Sequence, residues 1–74
     1  MIDMKYLVVV EKGDSGFGAY APDLPGCIAV ADTRDEVVSL IREAMEFHVE
    51  GLMQSGDPVP APSTRSELIE IHAA

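Results

Sequence analysis

Residues 21–27, Ala-Pro-Asp-Leu-Pro-Gly-Cys, set two prolines and a glycine between two short apolar runs. Neither proline has an N–H to give to a sheet ladder, and each biases the residue before it away from the helical region. Gly26 adds access to backbone angles closed to other residues. No continuous helix or strand passes through such a segment, so the chain must fold back there. Pro22 and Pro25 then fix a sharp loop, with Asp23 as an acceptor for turn amides. The same rigid loop can instead present Tyr20, Asp23 and Leu24 to a partner. The sequence leaves both readings open. Tyr20, Pro22, Asp23, Leu24, Pro25, Gly26 and Cys27 form the candidate motif or partner-binding loop.

The flanking segments supply the elements. Residues 4–11, MKYLVVVE, are rich in β-branched side chains and predict a strand. Tyr6, Val8 and Val10 share one face and Leu7 and Val9 the other. Both faces are apolar, which predicts a central strand covered on both sides. Residues 12–16, KGDSG, are turn formers, so 17–21 (FGAYA) is expected to return as an antiparallel hairpin. A third strand is expected over 27–31, with Ile28 and Val30 on one face.

Thr33 followed by Glu36 has the spacing of a capping box, and a helix is expected over 34–54. Val37, Ile41, Ala44, Met45, His48 and Leu52 share its apolar face, with Leu40 and Phe47 at the edge. Glu36, Ser39, Glu43, Glu46 and Glu50 form the solvated face. Gly51 weakens the last turns, Gly56 suits a helix-terminating position, and Pro58 blocks continuation. The DPVPAPS run at 57–63 is a stiff connector. A fourth short strand is expected over 66–72, SELIEIH. The order β-β-β-α-β defines one α+β domain over 1–74, an antiparallel sheet with one helix packed on one face.

Composition narrows the function. The chain has 74 residues, 47% of them hydrophobic, and 13 acidic groups against 5 basic ones give a net charge of −8. So acidic a chain is not a non-specific nucleic-acid coat. It has no apolar run near the ~20 residues of a membrane span. One cysteine excludes an internal disulfide framework. The first residues lack the pattern of a signal peptide, and a lone cysteine fits a reducing cytoplasm. A domain this small buries only about 60% of its unfolded surface. One helix covers one sheet face, so the other face, with Leu40 and Phe47, predicts self-association as a homodimer or homotetramer.

A search for chemistry returns little. His48 lies on the apolar helix face and His72 near the terminus, with no metal-ligand spacing. Cys27 has the setting of a small core residue rather than a nucleophile. Gly13-Asp14-Ser15-Gly16 is neither a nucleophile elbow nor a phosphate loop, because a strand is expected to follow it. The expectation is no catalytic residue, no metal and no cofactor. A small hydrolase using Asp23, His48 or a bound metal is the weakest reading.

The succession PDLPGC at 22–27, Ala31-Asp32-Thr33, Phe47 to Leu52, and the GDPVPAP run at 56–62 resembles the HicB family of antitoxins, its small stand-alone members especially. The resemblance runs from about Tyr6 to Ile71. Ala21 stands where the family often has an aromatic residue, and Ala31 where glycine is usual. The resemblance implies a partial ribonuclease-H-like fold without its catalytic carboxylates. It implies a partner, a small basic HicA-type ribonuclease toxin, whose active surface the antitoxin occludes. Many members carry a C-terminal DNA-binding domain, and this sequence stops before one, so no direct DNA binding is expected. The alternative is an orphan oligomeric regulatory or scaffold domain that has lost its toxin.

Overall fold

The computed structural model describes residues 3–73; Met1, Ile2 and Ala74, the ends of the expected 1–74 domain, lie outside them. Three antiparallel strands precede one helix: β1 (Val9–Lys12), β2 (Phe17–Tyr20), β3 (Ile28–Ala31) and α1 (Arg34–Ser55). The strands lie in the order β1-β2-β3. Register separates the faces. Val10, Ala19 and Ala29 form one cross-strand row and Lys12, Phe17 and Ala31 a second, on the helix side. Val9, Tyr20 and Ile28, then Glu11, Gly18 and Val30, form the rows on the outer side. Three alanines beneath α1 let the helix lie close to β2 and β3.

The first strand is shorter than the sequence predicts, and it lies at an edge rather than in the centre. Val9 pairs with Tyr20, and Pro22 ends β2 just beyond, so residues 4–8 have no strand opposite them. The central strand is β2, flanked by its two hairpin partners. The third strand begins at Ile28 rather than 27, because the Cys27 N–H is drawn into the preceding loop. The fourth strand does not form. Residues 66–72 are exposed and take part in no ladder, and both β1 and β3 keep an unpaired edge among the described residues.

The helix follows its sequence pattern. The Thr33 hydroxyl accepts from the Glu36 N–H at 3.1 Å and donates to the Glu36 carboxylate at 2.9 Å. This is a tighter local loop than the reciprocal box, in which the glutamate reaches the cap's own N–H. Gly56 ends the helix at φ 73°, where the Gly56 N–H meets the Met53 carbonyl and Asp57 N–H the Leu52 carbonyl. That left-handed turn is cheap for glycine alone. Val37 and Ile41 are buried as predicted. Val38 and Val49 also pack against the core, which rotates the buried stripe toward β1. Leu40 and Phe47 stay exposed, at 43% and 80%.

Two glycines give opposite expectations. A Cβ on Gly16 would lie 2.6 Å from the Ala31 carbonyl oxygen, a backbone atom with nowhere to go. A Cβ on Gly51 meets nothing within 4 Å. Chemical denaturation should show Gly16→Ala destabilised by about 1–3 kcal/mol. Gly51→Ala should be stabilised by up to about 1 kcal/mol.

Candidate functional site: the proline-glycine loop and the tail it holds

The 21–27 loop is a closed excursion between paired strands. Ala21 N–H donates to the Cys27 carbonyl at 3.3 Å, Leu24 N–H to the Ala21 carbonyl at 3.1 Å, and Cys27 N–H to the Leu24 carbonyl at 3.1 Å. Gly26 takes φ 91°, a left-handed value that any other residue would hold under strain. The Asp23 carboxylate bonds Ser63 and Thr64 and no amide of its own loop, contrary to the turn-acceptor reading. Leu24 is not presented outward either. It is fully buried and joins Ala19, Ala21, Cys27, Val37 and Ile41 in the core. Tyr20, Pro22 and Pro25 are exposed.

Asp23 instead holds the segment beyond the helix. Its carboxylate accepts from the Ser63 N–H at 2.8 Å and hydroxyl at 3.2 Å. It accepts again from the Thr64 N–H at 2.8 Å and hydroxyl at 2.6 Å. These donors favour the charged form and hold the Asp23 pKa down from 3.8 to about 2, with the Thr64 hydroxyl contributing most. The Tyr6 hydroxyl donates to the Pro60 carbonyl, a second tie on the same connector. Sequence reasoning missed Tyr6, Ser63 and Thr64. The available signal was a pair of adjacent hydroxyls at the end of a proline-stiffened run.

Cys27 is buried, and its thiol points toward the Ala44 carbonyl at 3.9 Å. Burial pushes the thiol pKa up, which disfavours the nucleophilic thiolate. His48 lines a shallow groove with Gly26, Cys27, Phe47 and Leu52, beside the motif loop. Among the described residues no three His, Cys, Asp or Glu side chains gather as metal ligands. No described helix is long and apolar enough to cross a membrane.

A three-stranded antiparallel sheet, one helix and a proline-glycine loop closed over a leucine together define a class, and comparison with known proteins identifies it. The sequence profile of the HicB-like antitoxins of bacterial toxin–antitoxin systems matches residues 6–73. The chain belongs to that family. It is 32% identical to a UPF0150 protein of Thermoplasma acidophilum, covering 95% of this chain and all of that one. It is 35% identical to an uncharacterized 14.9 kDa protein of Haemophilus phage HP1, over 89% of this chain and 50% of the phage protein. It is 27% identical to Antitoxin HicB 2 of Photorhabdus laumondii, over 97% of this chain and 52% of that protein. The chain thus spans about half the length of the latter two. A chain of the solved HicA3 and HicB3 toxin-antitoxin complex superposes with TM-score 0.66 at 33% identity, covering 81% of this chain and 70% of that one.

Two substitutions separate the neighbouring loop residues. Leu24→Ala empties the centre of a small core and should cost about 2–5 kcal/mol in urea denaturation. Asp23→Ala should free the tail and leave the melting temperature of the sheet and helix nearly unchanged. The pH response has a defined sign. The folded pKa lies below the unfolded one, so the clamp's contribution is complete above 3.8 and is lost as pH falls through about 2. The backbone amide resonances of Ser63 and Thr64 should titrate with a midpoint near 2 by NMR.

Proposed function

We propose that this chain is a non-enzymatic antitoxin that binds and occludes a small basic HicA-type ribonuclease toxin in the cytoplasm. The observation that carries this reading is the likeness, over four fifths of the chain, to a component of a HicA3 and HicB3 complex. The charge supports it. A net −8 chain with Glu43, Glu46 and Glu50 exposed on α1 attracts a basic RNA-binding surface and speeds encounter with it. Occlusion asks for shape and charge and for no reacting group, which agrees with a Cys27 thiol that burial holds in its protonated form.

On this reading Tyr20, Pro22 and Pro25 are the loop residues available to the toxin. Ile28 and Val30, 73% and 80% exposed on the outer sheet face, extend that surface. Leu40 and Phe47 are the helix positions assigned to self-association as a homodimer or homotetramer. Direct DNA binding and membrane association form no part of the proposal.

The test is a titration of the chain against a purified HicA-type toxin, by calorimetry and in an RNA-cleavage assay. Binding with at least micromolar affinity, weaker at higher salt, with loss of RNA cleavage, is expected. A chain that binds no small basic protein, in this titration or in a tagged pull-down read by mass spectrometry, overturns the antitoxin reading. The self-associating orphan domain then takes its place.

A further inference from the structure

The helix packs chiefly on β3 and β2 and touches β1 least. A groove therefore opens between β1 and α1. Its apolar floor includes Val10, Val38 and Met45, and three of the chain's five basic residues, Lys5, Arg34 and Arg42, stand along it against Asp3 and Glu46. This is a local excess of positive charge on a strongly acidic molecule. The adjacent edge of β1 is unpaired, and Val8 and Val10 reach it as half-buried side chains without a neighbouring strand. An added strand along β1 would meet open backbone donors and acceptors, an apolar floor and a basic rim.

The same chain carries a segment of matching chemistry. Every residue from Pro60 to Ala73 is exposed. Leu68, Ile69 and Ile71 are 99%, 73% and 77% exposed, and Glu67 and Glu70 are the acidic groups among them. The Asp23 clamp ends at Thr64, and beyond it residues 65–73 leave the body. The radius of gyration is 14.6 Å and the longest dimension 53 Å. A compact chain of this length has a radius near 11 Å. A nine-residue extended arm spans up to about 30 Å, enough to cross a neighbouring small domain.

We infer that the arm of one copy adds as a fourth strand along β1 of a second copy, with Ile69 and Ile71 in the β1–α1 groove and Glu67, on the same face of the strand, toward its basic rim. Reciprocal exchange closes a two-fold dimer. The Asp23 clamp sets where each arm leaves its own body and so fixes which groove it reaches. This interface is separate from the Leu40 and Phe47 contact of the functional proposal, and it does not depend on toxin binding.

The experiment uses the full chain. Light scattering at tens of micromolar should give a dimer for the wild type. The doubly substituted Ile69→Asp, Ile71→Asp chain should give a monomer that keeps the helical circular dichroism signal and a cooperative melt, since both side chains are exposed in the isolated fold. In a mixture of isotope-labelled and unlabelled wild-type chains, filtered NMR contacts should link the Ile69 and Ile71 methyls of one copy to Val10, Val38 or Met45 of the other. A monomeric wild type overturns the inference. A doubly substituted chain that remains dimeric does the same, and so do contacts that arise only within one copy. Arg42→Glu supplies a check from the groove side, because Arg42 is exposed and its reversal should raise the dimer dissociation constant at least tenfold. An unchanged constant counts against the proposed rim.

Discussion

The burial of Leu24 is the contact on which the rest of this fold depends. Among the described residues six make up the buried core, all of them apolar, and the largest fully buried side chains are Leu24, Val37 and Ile41. Leu24 comes from a loop, and a loop delivers a core residue only if its own polar backbone is satisfied. Three short-range hydrogen bonds do this, two of them Leu24's own. The prolines restrict the backbone, and Gly26 supplies the left-handed turn at φ 91°. The motif is therefore conformational first: it converts a strand connection into a plug beneath the helix. Asp23, the residue next to the plug, lies on its outer side and is left free to bind something else, which in this fold is the connector after α1.

The sequence shows the elements well and their distant partners poorly. The helix was legible from Thr33 to Gly56 because its signals are local, a hydroxyl cap, a 3.6-residue apolar period and a terminating glycine. Ile28 and Val30 were legible as one face for the same reason. The centrality of the first strand was misread from Tyr6 to Val10, where apolar residues on both faces suggested cover on both sides. Pairing length decides the matter instead, since β2 stops at Tyr20 and strands residues 4–8 without a neighbour. The fourth strand was read from the alternation around Ile69 and Ile71, which records what a segment is suited to rather than what lies beside it. The Asp23 clamp joins residues 40 and 41 positions apart, and no window of sequence contains both ends.

The division of labour on the surface follows from this small core. A domain that buries six residues leaves much apolar area outside, and here that area is sorted by place. The outer sheet face carries Tyr20, Ile28 and Val30, the helix flank carries Leu40 and Phe47, and the arm carries Leu68, Ile69 and Ile71. A surface built so offers several apolar patches for contact with other proteins. Membership in a family of antitoxins is consistent with that economy.

Gly51 brings a further consequence. A Cβ there would meet nothing within 4 Å, and Gly51 lowers the helix propensity of the turn ahead of the Gly56 cap, so the last turn is the weakest part of α1. Opening there does not disturb Val37, Ile41 or Leu24, and the cost of local fraying is well below that of global unfolding. A cellular protease would therefore find its first foothold at the helix end and the connector, while the sheet remained folded. The lifetime of the chain in the cell would then track how often that end opens, and only secondarily the stability of its core.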